Sequence, residues 1–326
     1  MTGTYVDKNY VYAVARVRGE EMKLLNNQAL SELIAAKDTS VIKRMLREKG
    51  FGGDSDADFL MLLKREREKL WEFIDEIVPD RSQFSVFRLP NDYHNLKAAI
   101  KESTMEYQYD GIYIDESIVD VNLIRDCIKN KLYDDLPSNM VDVAREAHEV
   151  FLKTNDGQLC DILVDKACIE EIIRASKDAK NDFIKKYAEL RAASSNIKIC
   201  VRAVNTDKTK EWLTKAIAEC ETLDKNMLIN ASLNGVDSIC NYLQNTEYAD
   251  AVPMIKKSLT AFEKWCDDVV IDRMKGMLYE SFGIGPIIAY ILAKENEIKT
   301  LLIIYTAIKN GFSEEMIRER VRGTYV

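Results

Sequence analysis

Histidine is almost absent from this 326-residue chain: His94 and His148 are the only two. A histidine-based zinc site would have to draw on Cys or carboxylate partners at set spacing. The best such set, His148 with Cys160 and Cys168, reads as core cysteines beside a surface imidazole. No Gly-x-Ser-x-Gly elbow is present to raise a serine nucleophile. Phe282-Gly283-Ile284-Gly285-Pro286 lacks the third glycine, the lysine and the preceding strand of a phosphate cradle. It reads instead as a turn into a helix starting at Pro286. Carboxylate pairs such as Asp267/Asp268 and Glu314/Glu315 are expected among 54 acidic residues. Glu314-Glu315 after Ser313 looks like a first helical turn, where acids meet the helix dipole. The residues offer no catalytic, cofactor-binding or metal constellation, and a metal-assisted helical hydrolase fails on ligand supply.

Other shortages bound the fold. Glycine (13) and proline (5) are scarce and alternating Val/Ile/Thr strands are missing, which leaves helices joined by short connections. The expected class is all-α. The most apolar stretches, Phe282–Ala293 and Leu301–Ile308, are separated by Lys294-Glu295-Asn296-Glu297-Ile298-Lys299. Neither reaches the roughly 18 residues of a membrane span. The 46 basic and 54 acidic residues give a net charge of −8 with the signs interspersed. No basic stripe marks a nucleic-acid face, so nucleic acid is not expected as a partner; with no catalytic constellation, no small-molecule substrate is expected either. The seven cysteines form no CxxC pair, and Met1 to Arg18 carries Asp7, Lys8, Arg16 and Arg18 among its apolar residues. Reduced thiols in a cytoplasmic compartment are the expectation.

What is present is a repeat. Asn95-Leu96-Lys97, Asn196-Ile197-Lys198 and Glu297-Ile298-Lys299 stand in register at a spacing of 101 residues. Leu89/Leu190/Ile291 upstream and Ile100/Val201/Leu302 downstream keep the offset. A second element precedes each copy: Ile42/Met45/Leu46/Phe51, Ile124/Cys127/Ile128/Tyr133 and Ile239/Tyr242/Leu243/Tyr248. Its i, i+3, i+4 spacing predicts a short helix with one apolar face, followed by an aromatic folded back on that face. Between the two lie longer helical stripes. The first runs from Phe59 to Ile77, with Lys64–Lys69 as its solvated face. The second is entered through Pro137-Ser138, and the third runs on from Pro253 through Leu259 to Val269. Ser103–Asp110 and Asn205–Glu211 read as linkers, which divides the chain into modules of about 1–110, 111–212 and 213–326. Leu301–Ile308 is apolar nearly all round and is expected to be buried, Leu302 and Ile304 included.

Arginines cluster at both ends: Arg16 and Arg18 in the first long helix, Arg318, Arg320 and Arg322 at the close. Such spacing suits a solvated face, and it also suits bidentate pairing with carboxylates of a protein partner. The ends also carry a likeness. Tyr10-Val11-Tyr12-Ala13-Val14-Ala15-Arg16-Val17-Arg18 with Lys23-Leu24-Leu25, the run Pro286–Lys299, and Glu319-Arg320-Val321-Arg322 before Tyr325-Val326 resemble one family over the whole chain. So do Gly157-Gln158-Leu159-Cys160-Asp161 and Val164-Asp165-Lys166-Ala167. That family is the C-type subunit of the A/V-type ATPases, whose eukaryotic vacuolar counterpart is the d-type subunit. Cys168, where the family commonly has an aromatic, and Thr300-Leu301, where it is more polar, read as repacking changes.

The resemblance implies three similar helical modules around a pseudo-threefold axis, shaped as a funnel, with the repeated Leu/Ile-Lys helices as its packed walls. It implies a peripheral, non-catalytic subunit of the central rotor on the cytoplasmic face of the membrane. The implied partners are the shaft subunits of D and F type and the cytoplasmic loops of the proteolipid rotor ring. Family contacts are spread over a surface, so Arg16, Arg18, Glu297, Lys299, Arg318, Arg320 and Arg322 are only nominated as partner-binding residues. The alternative is a helical-repeat scaffold, an open stack binding an unrelated protein on a concave face.

Overall fold

The computed structural model describes residues 10–36, 38–52, 58–104, 110–179 and 181–326. Among them it is all-helical, with no strand. The first four helices are α1 (Val11–Glu21), α2 (Asn27–Ile34), α3 (Thr39–Glu48) and α4 (Phe59–Ile77). Next come α5 (Ser85–Glu102), α6 (Val121–Asn130), α7 (Ser138–Thr154), α8 (Gly157–Asp178) and α9 (Asp182–Val204). The chain continues with α10 (Lys210–Ala216), α11 (Lys225–Leu233), α12 (Val236–Leu243) and α13 (Val252–Lys257). It closes with α14 (Leu259–Met274), α15 (Gly285–Lys309) and α16 (Glu314–Arg318). No described helix is long and apolar enough to cross a membrane.

Starts and stops follow local chemistry. Asp38, Asp120, Asp156, Asn181, Asp224 and Ser313 each accept a backbone N–H of the helix that follows, supplying partners for its first-turn amides. After α3 and α6 the chain stops in the same way. A left-handed residue, Gly50 or Lys131, lets the next amide donate back to the Leu46 or Cys127 carbonyl. That turn delivers the expected aromatics, Phe51 and Tyr133, into buried positions, and Tyr248 is buried likewise after α12. Ile42, Leu46, Ile124, Cys127, Ile128, Ile239 and Leu243 are buried with them.

The chain forms two compact units, Met1–Arg81 with Thr260–Val326, and Ser82–Leu259. The first has a core in which α2, α3 and the start of α4 meet α15. Leu33, Ile42, Leu46, Phe51 and Phe59 pack with Ile298, Leu301 and Ile304. The rings of Phe59 and Tyr305 stack there at 3.8 Å. In the second unit α8 packs against α5, α7 and α9, and α9 carries α11 and α12.

Three expectations change. The third stripe is not one helix, because Ser258 is fully extended and separates α13 from α14. Within Lys64–Lys69, Glu66 is buried, because Lys294 faces it. The apolar run in α15 is not buried all round: Ile304 is 0% exposed and Leu302 40%. A single helix face meets the core, and Leu302 lies off it.

The two positions therefore differ in consequence. Ile304→Asp is expected to cost about 4 kcal/mol or more by placing a carboxylate among Leu33, Ile42 and Phe59. Leu302→Asp should stay within about 1 kcal/mol. Urea denaturation followed by circular dichroism separates them, and equal losses would overturn this packing.

Candidate functional site

The repeated Asn positions do one job. In α5 the buried Asn95 donates from Nδ2 to the Ile114 carbonyl at 2.9 Å and accepts the Ile114 N–H on Oδ1 at 2.9 Å. In α9 the buried Asn196 does the same to Ala218, at 2.9 and 3.1 Å. Each amide clasps both backbone groups of one residue in an irregular segment that has no helical partner for them. In α15 the equivalent residue is Glu297, which accepts the Leu25 N–H at 2.6 Å. Its neighbour Asn296 donates to the Gly323 carbonyl at 2.9 Å.

A carboxylate in that third position requires a counter-charge. Lys294, one turn earlier, lies 2.7 Å from Glu297 and 3.1 Å from Glu66 of α4, all three buried. The ammonium also sits 4.4 Å from the centre of the Phe51 ring. Burial pulls the Lys294 pKa down, and the two carboxylates overcome this and hold it above its ordinary value. Burial likewise pushes Glu66 up, but Lys69, Lys294 and the Gly52 N–H hold it below the usual carboxylate range.

Asp92 and His148 are buried titratable groups of the second unit. Asp92 accepts the Ile118 and Val119 N–H groups on Oδ1, at 2.7 and 3.0 Å. Burial pushes its carboxyl up to about 6, against the pull of those amides and of Arg88. His148 is buried rather than a surface imidazole. Its ring nitrogens meet Ser103 Oγ at 2.9 Å and Tyr133 Oη at 3.0 Å, and burial lowers its pKa. Cys160 and Cys168 are buried free thiols, pushed up by burial to about 11 and about 12. Among the described residues no His/Cys/Asp/Glu group is arranged to hold a metal.

The nominated partner-binding residues separate into two sorts. Arg16 and Arg318 are partly exposed on the surface, with Glu76 at 3.1 Å and Glu314 at 3.8 Å. Arg320 covers the Phe312 ring. Lys299 and Arg322 are brought together on Asp267, with Arg322 buried and Lys299 half exposed. Arg18 ties Glu21 to the Met277 and Glu280 carbonyls. Glu297 is the interior clasp described above. The repeat marks the Asn positions plainly, yet reading them as packing walls misses their hydrogen bonds. Their polar identity inside an apolar stripe is the signal that points to them.

The profile of the family described as ATP synthase (C/AC39) subunit matches residues 13–320. The chain belongs to that family. It is 23% identical to the C-type subunit of the V-type sodium ATPase of Enterococcus hirae, over 95% of this chain and 97% of that one. It is 22% identical to the C-type subunit of the A-type ATP synthase of Methanocaldococcus jannaschii, over 97% and 86%. Against the C-type subunit of the V-type ATP synthase of Thermus thermophilus the figure is 20%, over 96% and 98%. Family membership makes the chain a non-catalytic subunit of a membrane-associated A/V-type ATP synthase complex.

The clasps and the buried acid can each be tested. Asn196→Ala leaves the Ala218 N–H and C=O buried without partners, and is expected to cost about 2–4 kcal/mol in urea denaturation. A loss under about 0.5 kcal/mol would mean the clasp carries no weight. For Asp92 the sign is set by a folded pKa of about 6 above the unfolded value of 3.8. Its stabilising share is present below about pH 4 and lost as pH rises through about 6. Asp92→Asn keeps an Oδ1 acceptor without the buried charge, so it should be more stable than the parent at about pH 8, by about 1–3 kcal/mol. The advantage should vanish near about pH 4, and thermal melts at both pH values test it.

Proposed function

We propose that the chain is the non-catalytic central-rotor (stalk) subunit of its complex: a socket coupling the central shaft to the membrane rotor ring. In that role it links ATP turnover to transport of H+ or Na+. Its partners are then the shaft subunits of D and F type and the cytoplasmic loops of the proteolipid ring. It works at the cytoplasmic face of the membrane, with modules 1–110, 111–212 and 213–326 set about a pseudo-threefold axis as a funnel.

The observation that carries this reading is the order of the clasps. Asn95 holds the segment that opens the second module, and Asn196 the segment that opens the third. Glu297 holds Leu25, in the connection between α1 and α2 of the first. Contacts that tie each proposed module to the next along the chain, and the last to the first, support this reading over an open stack. An open scaffold of stacked repeats has no reason to return its last module to its first. The partly exposed cations Arg16, Lys299, Arg318 and Arg320 are the proposed contacts with partner carboxylates. Arg18, Glu297 and Arg322 would support them from behind by fixing the backbone.

Native mass spectrometry of the purified chain mixed with the shaft subunits tests this. A stoichiometric complex is expected, weakened when Arg318 and Arg320 are both changed to Glu. No complex at any salt concentration would overturn the reading.

A further inference from the structure

A cleft of about 280 Å³ opens in the second unit between the N-terminal half of α5, the start of α7 and the last turns of α8. By volume it has room for roughly nine waters. Its walls include Leu89, Ile118 and Met140, and Asp92 and Glu171 also line it. Arg174 stands at the mouth with its side chain largely exposed, bidentate to Glu171 at 2.6 and 2.8 Å and 3.2 Å from Asp178.

We propose that this cleft binds an alkyl-linked cation, the chemistry shared by arginine and lysine side chains and by polyamines, with the Asp92 carboxylate as its counter-charge. Three observations converge. Asp92 is 2% exposed, yet commits only Oδ1 to the Ile118 and Val119 amides, which leaves Oδ2 for a ligand. The lining carries three carboxylates, Asp92, Glu171 and Asp178, against the single cation Arg174, so it is short of positive charge. The apolar walls between mouth and carboxyl suit a methylene chain, which a bare metal ion would leave in contact with nothing. Buried carboxylates are ordinarily paired. Here Arg88 acts on Asp92 electrostatically and the cleft supplies the remaining room.

Titrating the full chain with n-butylguanidinium, read by calorimetry and by thermal shift, tests the site, with n-butanol and guanidinium as the two half-ligands. Saturable binding of the whole probe, tighter than either half, is expected. Asp92→Asn should weaken it at least about tenfold, the loss of one charge-assisted hydrogen bond. Because that variant is expected to be the more stable protein at neutral pH, unfolding would not account for the loss. Arg174→Gln removes the competing internal cation and should tighten binding. Binding should also strengthen as pH rises through about 6, where the Asp92 carboxyl ionises.

Equal affinity in parent and Asp92→Asn, or no saturation with any probe, overturns the proposal. Spermidine and N-acetylarginine amide serve as further arms, repeated on the assembled complex. Probe binding lost on assembly assigns the cleft to a partner's basic side chain. Binding retained assigns it to a free amine.

Discussion

A long helix satisfies its own backbone, but the irregular segments that run beside it do not. A buried peptide left without a partner costs about 1–3 kcal/mol per group, so each such segment here needs an outside donor and acceptor. That need governs the chain. A side-chain amide is the smallest group that offers both at once, and Asn95 and Asn196 spend theirs on the N–H and C=O of a single residue. The segment is held in position and register together, and the short helices that follow it inherit their placement.

The third copy meets the same need with a charge, and the consequences spread. Glu297 can accept but not donate, so the donor role passes to Asn296, aimed at a different segment. Its buried charge then calls for Lys294, and Lys294 for Glu66, which also holds Gly52. Replacing one member of such a triad leaves the others uncompensated, which is costlier than the net worth of the pairs. The charge run Lys64–Lys69 is thus split by function: Glu66 turns inward, while Lys69 reaches back to it from the exposed side.

The all-helical class, the three short helices with their aromatics and the spans of α4 and α7 were legible from apolar period and caps, because those signals are local. The break at Ser258 was not: an extended serine between two apolar stretches leaves the helical period almost unbroken. Nor was the exposure of Leu302, since an apolar residue carries no mark of whether a neighbour will arrive. His148 illustrates the same limit. Its burial depends on Ser103 and Tyr133, which reach it from different parts of the chain. The polar clasps were visible as repeated letters, while their partners, lying in segments without periodicity, were not.

The neutral clasps and the charged one also differ in the length of chain they close. Asn95 and Asn196 grip residues 19 and 22 positions away, whereas Glu297 and Leu25 are 272 apart. Bringing ends together costs about (3/2)RT ln n, so the longest closure is dearer by roughly 2 kcal/mol. A charge-assisted hydrogen bond is about twice as strong as a neutral one, and the single ionic clasp stands at that contact. Its cost is a buried charge, and the cation that compensates it lies against Phe51, the aromatic that closes α3. A copy of each recurrent element, the α15 repeat and the aromatic after α3, therefore meets at this contact between the first and last stretches of the chain. A neutral asparagine there would hold the same peptide but would not draw Lys294, Glu66 and Phe51 into the joint.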